Sequence, residues 1–189
     1  MKKYALFSGM LIPVWLFCGV LIAGSLYPGY SHVDQAMSEL GALEAPTHQL
    51  SPIINNFPLG VLFLLFGGAV VSLFSGARLA QLSGLLLMLH GLASISAGLF
   101  SCDPGCNPVE PSRDQVLHNL SGLVMFASLT LANLLWVYLS RKRLGSAGFS
   151  WFSLVCLIVS LAVMPMMAAA VESGEAFGLY QRINYGVSV

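Results

Sequence analysis

The sequence predicts an all-α bundle of transmembrane helices, and its composition carries the prediction. Hydrophobic residues make up 57% of the 189 residues and charged residues only 8%, whereas soluble domains average about 25% charged residues. Mean hydropathy is +0.80. So few charges cannot cover the surface of a soluble domain of this size. Eight basic residues balanced by eight acidic ones form no basic patch, so a nucleic-acid binder is excluded together with a disordered chain.

Five segments are long and apolar enough to cross a bilayer, because a spanning helix needs about 20 mostly apolar residues. None contains Asp, Glu, Lys or Arg, and a helix satisfies its own backbone hydrogen bonds in lipid. The first run is too long for a signal peptide, so we interpret it as a retained helix. We expect one helical domain over residues 1–189, with spans at Leu6–Leu26, Ile53–Phe74, Leu82–Phe100, His118–Leu139 and Phe149–Val171.

The end of the chain predicts a short sixth helix. Gly178–Asn184 has the pattern of a helix start, but only seven residues follow Arg182. Seven residues reach about 11 Å, far less than a hydrocarbon core of ~30 Å. Either this helix is a stub that stays near the outer surface, or the chain has been shortened.

Basic residues predict the orientation of the bundle. We expect a multi-pass protein of the plasma (inner) membrane with a cytoplasmic N-terminus. All eight acidic residues then fall outside, where they form either a solvated face or a polar site. In this orientation the outer side carries Arg113 and Arg182, and the inner side carries Lys2, Lys3, Arg78, Arg141, Lys142 and Arg143.

The first outer loop, Tyr27–Pro52, predicts an amphipathic helix between the first two spans. Ser31 can cap a helix, with Asp34 three residues later as in a capping box. Apolar residues then recur at helical spacing, and Pro46 blocks further continuation. We expect a short helix on the outer surface that ends near Gly41.

The second outer loop contains two cysteines around a turn. Pro104 and Gly105 are the central pair that a type II turn favours, and this turn brings Cys102 close to Cys106. In an oxidising compartment we expect a disulfide. A redox-active pair and thiolate metal ligands are the alternatives, although the thioredoxin-type motif has two intervening residues rather than three.

Two histidines lie in or beside the spans. His90 sits near the middle of the third span, where an ionisable residue is a functional candidate because it is costly there. The alternative is a neutral ring that donates to a backbone carbonyl or to a neighbouring helix. His118 opens the fourth span at its outer boundary, about 15 Å from the depth of His90, so we do not expect the two to share a metal.

Four strings in the chain resemble a known family. They are YPGYSHVDQAMSELGA (27–42), FSCDPGC (100–106), LHNLSG (117–122) and GLYQRIN (178–184). Their order and nearly full-length spread resemble the prokaryotic membrane-protein family known as domain of unknown function 998. The resemblance implies about six helices with the distinctive residues on the outer side, and it implies no established activity. Members usually continue into a full last helix.

The clustering of motifs at the outer ends supports three functional hypotheses. The first is a non-catalytic protein that binds membrane lipid, a small hydrophobic ligand or a membrane-protein partner below the outer helix. Another is a transporter or channel with His90 on its path, although the spans lack paired charges. For binding, the candidate residues are Tyr30, Ser38, Glu39, His90, Asn119, Gln181 and Arg182.

The remaining hypothesis is an enzyme that acts on a lipid head group at the outer interface. His32, Asp34 and His118 are its candidate catalytic residues, as acid and base groups. A zinc site needs three or four ligands, and these assemble only if the first loop folds back over the second. The sequence assigns no cofactor. The candidate metal ligands are His32, His48, Asp103 and His118.

Overall fold

The computed structural model describes residues 2–189, with side chains from Leu6 onward, and these residues form helices and loops without a strand. Five of the described helices are long and apolar enough to cross a membrane, which confirms the predicted spans. A π-helical turn, Pro52–Asn56, leads directly into the second of them. The six α-helices are α1 (Lys2–Ser25), α2 (Phe57–Leu73), α3 (Arg78–Leu99), α4 (Arg113–Leu144), α5 (Ala147–Ser173) and α6 (Phe177–Gly186).

Capping residues fix the ends of α4 and the start of α5. The Ser112 hydroxyl accepts a hydrogen bond from the backbone N–H of Gln115 at 3.1 Å, and Ser146 caps α5 through Phe149 N in the same way. Between them Gly145 ends α4 with φ 64°, a left-handed conformation that glycine adopts without strain. The two helices therefore form a tight antiparallel hairpin.

Glycines allow α2 and α3 to pack backbone against backbone. A Cβ added at Gly67 would lie 2.5 Å from Gly84 O, and one at Gly84 would lie 2.7 Å from Gly67 O. Seven residues away along each helix, Gly60 and Gly91 approach each other in the same way. Small residues at such a crossing let membrane helices approach closely, and this packing holds α3 at the centre of the bundle.

The antiparallel helices divide the loops between two ends. We call the end with residues 26–51, 100–112 and 174–176 the acidic end, and the end with residues 74–77 and 145–146 the basic end. The eight acidic residues all lie at or within two residues of the acidic-end loops. Lys2 and Lys3 also supported the predicted orientation, but their side chains are not among those that the structure describes. Arg78, Arg141, Lys142 and Arg143 lie at the basic end.

The last helix goes deeper than the surface stub expected from its length. Asn184 donates from Nδ2 to Ser160 O on α5 at 2.8 Å, and the Tyr185 hydroxyl lies 2.7 Å from His90 Nε2. His90 is nine residues from the end of α3, which is about 14 Å along the helix axis. α6 therefore runs from the acidic end into the middle of the bundle.

The helix expected from Ser31 to Gly41 is confined to a 3₁₀ helix, Met37–Gly41. The carbonyls of residues 33–35 would accept from residues 37–39 in an α-helix. Here they accept from α6 instead. The donors are Leu179 N to Val33 O (2.7 Å), Gly178 N to Asp34 O (3.2 Å) and Arg182 Nη1 to Gln35 O (3.0 Å). This competition explains why the helical pattern fails to form a helix in its first half.

Candidate functional site

Arg182 makes four hydrogen bonds, of which three join the first loop to α6 and one stays within α6. Nη1 donates to the carbonyls of Gln35 (3.0 Å) and Gly178 (2.9 Å). Nη2 donates to the Tyr30 hydroxyl at 2.7 Å and to His32 Nδ1 at 3.2 Å. The remaining Nε is buried without a partner among the described residues. Strings 27–42 and 178–184 thus form one hydrogen-bonded unit, which we call the cap.

Burial and the Arg182 charge together determine the protonation of the two ring partners of Arg182, and burial is the larger cause for both. A guanidinium only donates, so His32 Nδ1 must accept and the neutral ring carries its proton on Nε2. Burial, together with the Arg182 charge, holds the pKa of His32 below its usual 6.5. Burial raises the pKa of Tyr30, although Arg182 opposes the shift. The Tyr30 hydroxyl therefore stays protonated and donates to Ala36 O at 2.7 Å.

Asp34 connects the first loop to the α5–α6 junction. Its Oδ1 accepts from Ala176 N at 3.0 Å and its Oδ2 from the Ser31 hydroxyl at 2.7 Å. The Ala176 and Ser31 hydrogen bonds lower the pKa of the Asp34 carboxyl, because both stabilise its charged form. The expected pairing of Ser31 with Asp34 is present, but it closes a turn rather than the start of a helix.

The second loop has the geometry expected from its sequence. Cys102 and Cys106 form a disulfide with a Cα–Cα distance of 5.0 Å. Gly105 has φ 72° and ψ 0°, the values of the third residue of a type II turn, and Cys106 N donates to Asp103 O at 2.8 Å. Hydrogen bonds from Ser112 lower the pKa of the Asp103 carboxyl. The disulfide and turn predictions are confirmed.

The second loop is also fixed to the cap and to α4. Leu43 N donates to Cys102 O at 2.9 Å, and Cys102 Sγ lies 3.6 Å from Ser38 O. Fully buried Gln115 accepts from Asp103 N through Oε1 at 2.8 Å and donates from Nε2 to Asn119 Oδ1 at 2.8 Å. All four distinctive strings therefore meet in one layer at the acidic end.

The candidate metal ligands and catalytic residues separate into different contacts. His118 Nδ1 donates to the carbonyls of Ala97 (3.1 Å) and Phe100 (2.8 Å) at the end of α3. His48 Nδ1 donates to Gly41 O at 3.0 Å. His32 and Asp34 both contact α6, whereas His118 contacts α3. In the part of the chain with described side chains, no group of three or more His, Cys, Asp or Glu could hold a metal ion.

His90 is fully buried and uses both ring nitrogens. Nδ1 lies 3.1 Å from Met125 O, which can only accept, so Nδ1 carries the proton. Nε2 then accepts from the Tyr185 hydroxyl at 2.7 Å, and the ring packs on Phe63. Of the two interpretations that the sequence left open, this geometry is that of a neutral ring bonded to neighbouring helices.

A cavity of about 730 Å³ lies under the cap and is lined by residues of all six α-helices. Near the acidic end its lining is polar and includes four of the candidate binding residues, Ser38, Glu39, Asn119 and Gln181. Towards the middle of the bundle the lining is mostly apolar. Its apolar members include Leu16, Leu59, Met125, Phe126, Met164 and Met167.

Two amide groups supply free donors in the cavity lining. Gln181 Oε1 accepts from Met37 N at 2.7 Å, and Asn119 Oδ1 accepts from Gln115. Their nitrogens, Gln181 Nε2 and Asn119 Nδ2, have no hydrogen-bond partner among the described residues. Glu39 supplies no donor to the lining. Its Oε1 accepts from Ala36 N and its Oε2 accepts from Gln35 Nε2.

The open side of the cavity lies between α4 and α5. Leu123 on α4 is 62% exposed and Val171 on α5 is 49% exposed, and both line the cavity. Leu123 is ten residues inside α4, about 15 Å from its start. This part of the opening therefore faces the apolar surface of the bundle, and exposed loop residues, Asn107 and Gly174 among them, also line the cavity.

Sequence reasoning missed several residues of this region. Gln115, Asn184 and Tyr185 are buried or half-buried and join α6 or α4 to their neighbours. Gly122 lines the cavity, and a Cβ there would meet no atom within 4 Å. Amides in apolar surroundings were a usable signal for the first two, because polar groups at such depth need partners. Nothing in the sequence distinguishes Gly122 from a packing glycine.

Apolar helices, a disulfide-closed loop and a layer of polar caps define a multi-pass integral membrane protein. A sequence model of the family described as "Protein of unknown function (DUF998)" matches residues 10–189, which is nearly the whole chain. The protein belongs to this family, as the four strings suggested. No curated protein and no solved structure matches the chain.

Proposed function

We propose that the protein binds a neutral amphiphile from the membrane in the cavity under the cap. The observation that carries the proposal is the cavity itself: about 730 Å³, within the range of about 300–1,000 Å³ typical of ligand pockets. Its apolar floor suits a hydrocarbon chain. Its free donors, Gln181 Nε2 and Asn119 Nδ2, suit hydroxyl, ether or carbonyl oxygens at the head of such a molecule.

The charge of the lining favours a head group without negative charge. Asp34 and Glu39 contribute carboxylates to the lining, whereas Arg182, the cation of the cap, does not line the cavity. The lateral opening between α4 and α5 gives a molecule dissolved in the bilayer a path that avoids water. A monoacylglycerol, with one chain and several acceptor oxygens, has this chemistry.

We further propose that the acidic end faces the outside of the plasma membrane and that the N-terminus is cytoplasmic. The six basic residues at the N-terminus, at Arg78 and at 141–143 support this orientation under the positive-inside rule. A disulfide at the acidic end agrees with it, since disulfides persist in oxidising compartments. The cavity then opens to the outer leaflet.

A photoreactive probe tests the binding proposal. A monoacylglycerol with a diazirine in its chain is added to the purified protein in lipid nanodiscs, and crosslinked peptides are identified by mass spectrometry. We expect labelling around Met125 on α4 and Met164 on α5, and we expect excess unlabelled monoacylglycerol to compete it away. The outward face of α1, with exposed Phe17, reports background labelling from the bilayer.

The chain offers a matched pair of variants for this assay. A Cβ at Gly122, which lines the cavity, would meet no atom within 4 Å, and neither would a Cβ at Gly68, which lies on α2 away from the cavity. Gly122→Leu therefore adds a side chain at the cavity wall, and Gly68→Leu adds the same side chain elsewhere. Filling space that the ligand needs costs about 1–3 kcal/mol, so cavity labelling should fall about fivefold or more in Gly122→Leu only. Equal labelling in both variants, or labelling that unlabelled lipid does not compete, overturns the proposal.

A further inference from the structure

A second concave surface lies at the basic end, between the end of α4 and the start of α5. This groove has a volume of about 630 Å³ and is separate from the cavity under the cap, with which it shares no lining residue. We call it the basic groove. It is lined by Val137, Tyr138, Arg141, Lys142, Ser150, Trp151 and Leu154.

The cations of the basic groove have no acidic partner. The eight acidic residues all belong to the acidic end, and none occurs between Glu44 and Asp103 or between Asp114 and Glu172. Lys142 Nζ instead contacts a neutral group, the Tyr138 hydroxyl, at 2.7 Å and lies over the Tyr138 ring. Arg141 is exposed and makes no ion pair or hydrogen bond within the described residues. Two positive charges are therefore free to meet an anion.

The groove also lies at the depth of lipid head groups. The predicted apolar span of α4, His118–Leu139, is 22 residues long, about 33 Å, which matches a hydrocarbon core of ~30 Å. Arg141 follows this run by two residues. Trp151 is 59% exposed and its indole N–H has no partner among the described residues, as expected of an interfacial aromatic that hydrogen-bonds to lipid.

The polarity of the groove is graded along the helices. Arg141 and Lys142 lie nearest the basic end, and Val137 and Leu154 lie about one turn further into the bilayer region. The Ser150 hydroxyl donates to Val137 O, which holds α4 and α5 together at the floor. A phosphodiester can therefore meet the cations while its acyl chains follow the apolar part of the groove.

We propose that the basic groove binds one anionic phospholipid, with its phosphate between Arg141 and Lys142 and its head group against Trp151. Unpaired cations, an interfacial indole and an apolar floor in one concave surface match this lipid class in both charge and depth. A zwitterionic phospholipid lacks the net charge that the two cations require. The proposal is independent of the amphiphile proposed for the cavity at the acidic end.

Trp151 is itself the reporter for a test. The protein has three tryptophans, so a Trp15→Phe/Trp136→Phe background leaves Trp151 as the only indole. This protein is reconstituted in phosphatidylcholine vesicles that contain either brominated phosphatidylglycerol or brominated phosphatidylcholine at the same mole fraction. Bromine quenches the indole on contact. We expect phosphatidylglycerol to bind about fivefold to twentyfold more tightly, the effect of one or two cations near the head groups.

Arg141→Gln/Lys142→Gln should abolish the preference for phosphatidylglycerol. Arg143→Gln is the matched control, because Arg143 lies in the same turn but does not line the groove. If the two brominated lipids quench Trp151 equally in the protein that keeps Arg141 and Lys142, that result alone overturns the proposal. A preference that survives the double substitution, or that Arg143→Gln reduces equally, also overturns it, because the attraction is then a property of the whole basic end.

A second measurement guards against a fold effect of the tryptophan replacements. Native mass spectrometry of the chain with all its tryptophans counts bound phosphatidylglycerol directly in a mixture with phosphatidylcholine. The proposal requires one retained phosphatidylglycerol that disappears in Arg141→Gln/Lys142→Gln and remains in Arg143→Gln. Absence of a retained anionic lipid in the unsubstituted protein refutes it.

Discussion

Gly178→Ala should detach α6 from the first loop. A Cβ at Gly178 would overlap the backbone oxygen of Gln35 and would lie 2.6 Å from Arg182 Nη1. The Gln35 carbonyl cannot turn away as a flexible side chain does, so α6 must move by roughly 1 Å to restore van der Waals distance. Such a shift stretches the bonds from Gly178 N to Asp34 O and from Leu179 N to Val33 O beyond hydrogen-bonding distance.

The expected loss can be worked out bond by bond. Two backbone hydrogen bonds contribute about 1 kcal/mol each, and the charge-assisted bond from Arg182 to Gln35 about 1.5–3 kcal/mol. Alanine recovers about 1 kcal/mol over glycine inside a helix. The free energy that holds α6 against the loop should therefore fall by about 2–4 kcal/mol, which raises the local opening constant about 30- to 1,000-fold.

Hydrogen exchange measures this opening directly. Amides of peptides that cover residues 177–186 should exchange faster in Gly178→Ala by that factor, while the amides of α2 and α3 keep their protection. Gly186→Ala, at the other end of the same helix, meets no atom within 4 Å and should leave exchange unchanged or slower. Unchanged protection in Gly178→Ala, or an equal effect of Gly186→Ala, would refute the reasoning.

Three further predictions concern charge, covalent structure and orientation. Because the pKa of His32 is held below 6.5, its contribution to stability is present above pH 6.5 and is lost as the pH falls through the folded pKa; the protection factors of the α6 amides, which correct for the intrinsic pH dependence of exchange, should fall as the pH drops below about 6.5, and His32→Gln should remove that component. Cys106→Ser opens the five-residue loop that the disulfide closes and should lower the free energy of unfolding by about 2 kcal/mol. Reduction of the unsubstituted protein should lower the denaturation midpoint by the same amount. If reduction has no effect, the substitution acts through something other than the disulfide. An impermeant maleimide applied to intact cells should label Glu110→Cys but not Arg143→Cys; the reverse pattern would invert the proposed orientation.

Hydropathy located the membrane helices because their length and lack of charge are properties of a contiguous segment. The fifth span was predicted as Phe149–Val171 and observed as Ala147–Ser173. The fourth differs more, Arg113–Leu144 against His118–Leu139, because capping residues outside the apolar run set its ends. Turn chemistry was equally local, so the disulfide loop could also be predicted from sequence.

The first loop shows why the rest could not be predicted. Its residues 33–40 carry apolar side chains at helical spacing, but three of its carbonyls are taken by donors from residues 178–182, almost 150 residues away. No pattern within the loop records that competition. The same holds for the cavity: Asn119 and Gln181 were chosen as binding residues for their polarity, and only the fold places them on one surface while it directs His90 elsewhere.

The register of α6 is set by polar contacts in several directions rather than by one apolar face. Gln181 reaches Met37 at the cap and the cavity below it, Arg182 reaches the first loop, Asn184 reaches α5 and Tyr185 reaches His90. Successive helical residues point about 100° apart, so Gln181 and Tyr185 lie one turn apart on the same side of α6, whereas Arg182 and Asn184 leave the helix to either side of them. A shift of one residue would strand each polar group in apolar surroundings, where an unpaired group is costly. For this reason the proposed ligand, bound to Gln181, would contact the same helix that contacts His90.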